Sequence, residues 1–272
     1  MLYFNEPMVF SHRHKRPENQ DRAFYMAFNA SPTHESNMQI FAVLDGVSNS
    51  NGSVAAPMAA AALRPRLAQL IVNSEMLLDL EVLNGTRANV IWDTLKLAIQ
   101  DAHHCLRSHG DDYGDDYGTT ITLAVVFDGA VYTANIGDSP AYLLRLSDDG
   151  AATLHPLFEC HNAAGLAVAE GKMTPEEART SPLRNGLQHM AGAKAVPELN
   201  IHTACSWLPQ YSILLLGSDG ALSVLPEQEL IELVQANAPA GMPAVVTALF
   251  QRIQDSDSTD NFTVIAQSLQ CD

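Results

Sequence analysis

The chain has 272 residues, of which 15 are Lys or Arg and 31 Asp or Glu, giving a formal net charge of −16 at pH 7. That charge repels phosphate backbones and anionic lipid, so neither nucleic acid nor a membrane surface is expected as a partner. With 47% apolar and 17% charged residues the chain can bury a sizeable core and does not have the composition of a disordered protein.

From the start, Met1 to Asp21 lacks the apolar stretch of a signal peptide. β-prone runs follow at 22–28 and 38–44. A helix is predicted from Ser53 to Val72, with Ser53 as N-cap, Pro57 in the first turn and a kink or division at Pro65. This densest apolar run is broken by Pro57, Arg64, Pro65 and Arg66 and falls short of the ~18 residues a membrane span needs. The chain therefore reads as soluble and cytoplasmic. A second helix is predicted from Asn89 to Ser108, where Ile91, Leu95, Ala98, Ala102 and Leu106 form one apolar stripe. His103 and His104 on it point roughly 100° apart, cannot chelate together, and read as surface or half-buried residues. The tandem Asp-Asp-Tyr-Gly over 111–118 lacks the ligand pattern of a calcium loop and reads as a solvated loop.

Strands are predicted at 119–127, 130–136 and 141–146. Asp128-Gly129 supplies a type I′ hairpin between the first two, and Asp149-Gly150 repeats the device, so this stretch reads as an antiparallel meander. Residues 158–192 are polar and rich in small side chains, with a short helix at 175–179 and a turn at 182–186, and read as a flap inserted between strands. A strand at 211–216, helices at 226–237 and 243–253, and a strand at 262–269 complete the chain. The pattern is α+β in a single domain, 1–272. Cys105, Cys160, Cys205 and Cys271 show no C-x-x-C spacing and read as free thiols.

Asp residues recur beside Gly, Asn or Ser at the strand ends: Asn19-Gln20-Asp21, Asp45-Gly46, Gly137-Asp138-Ser139, Ser218-Asp219-Gly220 and Asp260-Asn261. Each motif alone is more often a turn or cap than a ligand. Together they would supply an oxygen-only donor set suited to Mg²⁺ or Mn²⁺, while the absence of spaced His or Cys argues against zinc.

In order along the chain, Arg16-Pro17-Glu18-Asn19-Gln20-Asp21, Leu44-Asp45-Gly46, Gly118-Thr119-Thr120, Ala134-Asn135-Ile136-Gly137-Asp138-Ser139, Leu216-Gly217-Ser218-Asp219-Gly220 and Asp260-Asn261-Phe262-Thr263 resemble the signature of the metal-dependent protein phosphatase 2C family in its bacterial form. The resemblance spans residues 12–269. It implies a four-layer αββα sandwich of two antiparallel sheets flanked by helix pairs. It further implies hydrolysis of phosphoserine and phosphothreonine in proteins by a water activated between two Mn²⁺ or Mg²⁺ ions, opposing a Ser/Thr kinase in signalling. By this resemblance Asp45 bridges the ions, Gly46 offers its carbonyl to one, and Asp219 and Asp260 hold the other. Asp138 contributes to a third ion, Asp21 orients metal waters with Gln20 beside it, Arg16 binds the substrate phosphate, and Gly118 and Thr119 form a supporting turn. Phosphorylated proteins and a cognate kinase pathway are the implied partners, and a monomer is expected.

Departures from the family pattern keep an alternative open, a weakly active or inactive module that binds phosphoproteins. The run Val47 to Gly52 follows Asp45-Gly46 in place of a glycine pair, so the loop is expected to be reshaped. Val47 also stands where some members carry a histidine general acid, Pro140 replaces an arginine, and Cys160-His161-Asn162 replaces an Asp-His pair in the flap. His161 reads as a polar flap residue.

Overall fold

The computed structural model describes residues 2–4, 6–29, 37–80, 85–147, 151–194, 199–209 and 211–271. Strands β3 (Arg22–Asn29), β4 (Asn37–Leu44), β5 (Ile121–Phe127), β6 (Ala130–Ile136) and β9 (His202–Trp207) form one antiparallel sheet in the order β3-β4-β5-β6-β9. The second sheet has the order β1-β11-β10-β7-β8, built from β1 (Leu2–Phe4), β7 (Ala141–Leu146), β8 (Ala152–Pro156), β10 (Tyr211–Gly217) and β11 (Phe262–Cys271), with β2 (Met8–His12) also paired to β11.

Side-chain alternation along the strands separates the layers. On β4, Met38, Ile40, Ala42 and Leu44 face outward against α1 (Gly52–Val72) and α3 (Thr86–Tyr113), where they meet Leu63, Leu67, Ile91 and Leu95. The intervening Phe41 and Val43 face inward and meet Leu143, Leu214, Leu216 and Ile265 of the other sheet. That sheet's outer face packs Leu144, Leu215, Phe262 and Val264 against Leu230, Val234, Val245 and Leu249 of α7 (Glu227–Asn237) and α8 (Met242–Gln254). Three apolar layers between four structural ones make the chain an αββα sandwich. No helix among the described residues is long and apolar enough to cross a membrane.

The Asp128-Gly129 hairpin forms as expected, with φ of 47° and 75°, whereas Asp149-Gly150 lies outside the described residues. Three expectations need correction. The first helix begins at Gly52 with Asn51 at its N-cap, so Ser53 is not the cap and Pro57 sits beyond the first turn. It also runs unbroken past Pro65 to Val72. Burial of Leu63 and Leu67 on either side of the proline holds the chain helical despite the lost N–H. Helix α3 extends to Tyr113, so the first half of the Asp-Asp-Tyr-Gly repeat is helical. It stops at Gly114, whose φ of 76° and N–H to the Gly110 carbonyl (2.8 Å) form a left-handed cap. Within 158–192 a further helix, α4 (Ala163–Ala169), is capped by the Asn162 side chain, which accepts from Gly165 N at 2.9 Å. It is followed by α5 (Pro175–Thr180) and a 3₁₀ turn at Pro182–Asn185.

Candidate metal and phosphate site

Antiparallel register gathers the strand-end carboxylates. Arg22 pairs with Leu44, Val43 with Thr122, and Ile121 with Ile136, so Asp21, Asp45 and Asp138 leave their sheet at one rim. In the other sheet Gly217 pairs with Val264 and Leu216 with Ala141, which brings Asp219 and Asp260 to the same side as the Asp138-Ser139-Pro140 crossover. Asp45, Gly46, Asp138, Asp219, Asp260 and Arg16 then line one cleft of about 260 Å³.

The loop beside Asp45 is held by a dense backbone mesh. Asp45 N donates to Thr120 Oγ1 (3.0 Å), while Thr120 N and Thr119 Oγ1 both donate to the Asp45 carbonyl (2.9 Å each). Thr120 Oγ1 in turn lies 2.7 Å from Ser139 Oγ, linking this loop to the one that carries Asp138. Gly46 is required by space: a Cβ there would lie 2.4 Å from the Gly52 carbonyl oxygen and 2.8 Å from that of Gln20. The reshaped loop after Gly46 winds into a 3₁₀ turn, Ser48–Ser50, and enters α1 directly. It is tied to the Gly118 turn by Val47 N to Gly118 O (3.0 Å) and Gly118 N to Ser50 O (2.7 Å).

Asp138 accepts from Asn162 Nδ2 at 3.1 Å, so the flap's root holds it. The backbone beside it is pinned by His161, whose Nδ1 accepts from Gly137 N at 3.1 Å. His161 is fully buried, and burial lowers its pKa to about 4, so the ring is neutral. The reading of His161 as a polar flap residue is thus corrected to a buried prop. Asp21 lies beneath the cleft: Oδ2 accepts from Ser218 Oγ (2.8 Å), while Oδ1 is buried with no hydrogen-bond partner among the described residues. Gln20 N donates to Asn261 Oδ1 (2.9 Å), and Asn261 Nδ2 donates to the carbonyls of Arg13 and Glu18, fixing the loop that carries Arg16.

Arg16 stands in the cleft, but its guanidinium is engaged. Nε and Nη2 each donate to one oxygen of Asp260 at 3.0 Å, a bidentate pair. The second cation on the cleft wall is Arg184, from the flap's 3₁₀ turn. No local pattern marks a role for it, although the turn predicted at 182–186 contains it. His103 accepts from Gly192 N at 3.1 Å, a structural contact.

Burial pushes Asp45 well above the carboxylate range, and the charges of Asp21, Asp219, Asp138 and Asp260 push it further. Burial likewise raises Asp138 to about 7 and Asp21 to about 6, and raises Asp219, with Asp260 adding to it. Among the described residues no group of three His, Cys, Asp or Glu side chains is drawn together tightly enough to hold an ion by itself. The donor chemistry nevertheless fits a hard cation: carboxylates that disfavour one another's ionisation, a carbonyl at a position closed to side chains, and room for water as remaining ligand.

The sequence profile of the family described as Protein phosphatase 2C matches residues 10–257. The chain belongs to that family. A serine/threonine phosphatase, stp, of Listeria welshimeri is 28% identical over 148 residues, covering 54% of this chain and 55% of the relative, so the match spans about half the length of that protein. The crystal structure of a bacterial serine phosphatase is 25% identical with a TM-score of 0.78, covering 98% of both chains. The catalytic domain of the serine/threonine protein phosphatase PstP in complex with two manganese ions shares the fold at 20% identity and a TM-score of 0.70, with 100% of both chains covered.

Proposed function

We propose that the chain is a metal-dependent phosphatase that hydrolyses phosphoserine and phosphothreonine in proteins, with residues 1–272 as one domain and 158–192 as its flap. The observation that carries this reading is the single cleft that joins Asp45, Asp138, Asp219 and Asp260 to Gly46, Arg16 and Arg184. A module that only bound phosphoproteins would have no use for four ionisable carboxylates turned toward an anion. Asp45, the Gly46 carbonyl, Asp219 and Asp260 would hold two Mn²⁺ or Mg²⁺ ions, and Asp138 a third. When bound, the ions supply Lewis-acid charge and a water of lowered pKa for in-line attack on phosphorus.

The chain's own residues do the positioning. Arg16 and Arg184 offer guanidinium donors to the phosphoryl oxygens, where charge grows in the transition state. Arg16 is held by both oxygens of Asp260, and an ion bound by that carboxylate would leave the guanidinium free for phosphate. Asp21, with one oxygen bonded to Ser218 and the other unengaged, orders water beneath the cleft. Val47 at the cleft wall cannot act as a general acid, so the leaving alkoxide takes its proton from water or from another group of the cleft. A cytoplasmic monomer acting opposite a Ser/Thr kinase completes the reading.

Hydrolysis of an aryl phosphate and a phosphothreonine peptide is measured with Mn²⁺, with EDTA, and for Asp219→Asn. Turnover that requires Mn²⁺ and is lost in the variant is expected. Metal-independent turnover, or full activity of Asp219→Asn, overturns the reading.

A further inference from the structure

Beside the cleft, the flap and the segment entering α7 enclose a second cavity of about 660 Å³, more than twice the size of the first. Its walls are mainly carbon: Phe158 and Val168 on the flap side, Leu225 and Ile231 on the other. Arg184 lines both cavities, so they are neighbours across one side chain. Of the three acids that line the larger cavity, Glu159, Glu176 and Glu227, Glu176 is held in an ion pair with Arg179 at 2.8 Å. Glu159 lies 3.4 Å from His161 and 3.5 Å from His202. What remains is an apolar chamber with a guanidinium at its inner end, opening toward the place where a phosphate would bind. The thiol in its wall, Cys160, is held protonated because burial raises its pKa to about 12, so the chamber offers no nucleophile.

We propose, resting on the phosphatase reading above, that this chamber is a specificity subsite that takes an apolar side chain of the substrate protein, of Leu or Phe size, one or two residues from the phosphorylated one. Continuity through Arg184 selects this occupant. A phosphate held by the guanidinium fixes one point of the chain, and an extended peptide advancing about 3.3 Å per residue carries a neighbouring side chain past Arg184 into the chamber. Wall chemistry selects apolar over polar, because Phe158, Val168, Leu225 and Ile231 reward buried carbon and offer no hydrogen bond to replace lost hydration, while the Arg184 guanidinium is taken by the phosphate. The bond broken is the same as in the proposed reaction, and the chamber changes only which peptides reach it.

The test uses phosphothreonine peptides carrying Leu, Ala or Glu at each of the two positions on either side of the phosphoresidue, together with p-nitrophenyl phosphate, which reaches only the cleft. The intact protein is compared with Ile231→Trp and Val168→Trp, which fill the chamber from opposite walls, so a folding defect in one leaves the other informative. A hydrophobic pocket discriminates roughly tenfold or more between a filled and an empty side-chain site. The expected result is a kcat/KM about tenfold higher for Leu than for Ala at one position, collapsing toward unity in both variants, while p-nitrophenyl phosphate turnover stays within about twofold. Peptide affinity measured by calorimetry on Asp219→Asn should show the same ratio without any need for turnover. A Leu preference in affinity with no turnover counts against the phosphatase reading and supports the subsite. Equal affinity for all peptides, or a preference that survives both fillings, overturns the subsite and is the outcome for a chamber that serves a small molecule instead.

Discussion

Replacing Gly46 by alanine tests the tightest point of the site. The added carbon would lie 2.4 Å from the Gly52 carbonyl oxygen, 2.6 Å from its carbon and 2.8 Å from the Gln20 carbonyl oxygen. Carbon and oxygen rest no closer than about 3.3 Å, so one backbone or the other must move by about 0.9 Å. Neither contact is a flexible side-chain tip that can rotate away, and Gly52 opens α1. The cost therefore belongs at the upper end of overpacking penalties, about 3 kcal/mol. With an unfolding entropy of about 2.1 cal/mol/K per residue over the whole chain, this lowers Tm by about 5 °C. The same displacement moves the Gly46 carbonyl and the Asp45 backbone, so Mn²⁺ affinity should fall by at least about tenfold, a figure typical for disturbed ligand supports. Differential scanning calorimetry and Mn²⁺ titration read the two effects separately. A variant with Tm within about 1 °C of the parent and unchanged Mn²⁺ affinity refutes the reasoning, because the 3 kcal/mol overlap would then have been relieved at no cost.

Arg16→Ala should raise KM for a phosphopeptide by about 10- to 100-fold, as loss of a charge-assisted phosphate contact implies, while tightening Mn²⁺ binding by freeing Asp260. Steady-state kinetics and calorimetry check both signs, and unchanged KM argues against phosphate binding by Arg16. Arg87→Leu removes a buried guanidinium that pairs with Asp128 and donates to the carbonyls of Leu77 (2.7 Å) and Leu78 (3.0 Å). Breaking such a buried network costs about 3–5 kcal/mol, or about 5–9 °C in Tm, with activity at low temperature retained because the cleft is elsewhere. For the metal-free protein, Asp138 at about 7 and Asp21 at about 6 bind protons more tightly folded than unfolded, where 3.8 applies. Their stabilisation is complete below about 3.8 and is lost as pH rises through 6 to 7, so metal-free stability should fall across that window. Denaturant unfolding in EDTA from pH 5 to 8 checks this, and saturating Mn²⁺ should reverse the slope because it favours the ionised carboxylates.

Strands buried on both faces were the most legible part of the fold, since β5 and β6 are largely apolar, interrupted only by Thr122, Thr133 and Asn135, and are joined by a hairpin dipeptide. The missed strands have physical reasons. β8 and β9 are half-exposed, mix Thr, His and Ser with small residues, and owe their extended form to pairing with β7 and β6. β2 lies on the sheet margin against β11. Pro65 does not break its helix because Leu63 and Leu67 pack into the core on either side of it, which local propensity does not reveal. In the site, the carboxylates were readable because Asp beside Gly or Asn at a strand end is a local pattern, and register then brings them to one rim. The Arg16–Asp260 pair and the place of Arg184 were not readable, because each joins segments far apart in sequence whose approach only the assembled sandwich determines.

A calorimetric titration of Mn²⁺ into the intact protein and into Asp45→Asn tests the carboxylate cleft most directly. At least two ions should bind to the parent and the tight sites should be lost in the variant, since Asp45 shares the cleft with Asp138, Asp219 and Asp260 and their charges, with that of Asp21, all bear on it. No Mn²⁺ binding by the parent, or the same stoichiometry and affinity in Asp45→Asn, would contradict it.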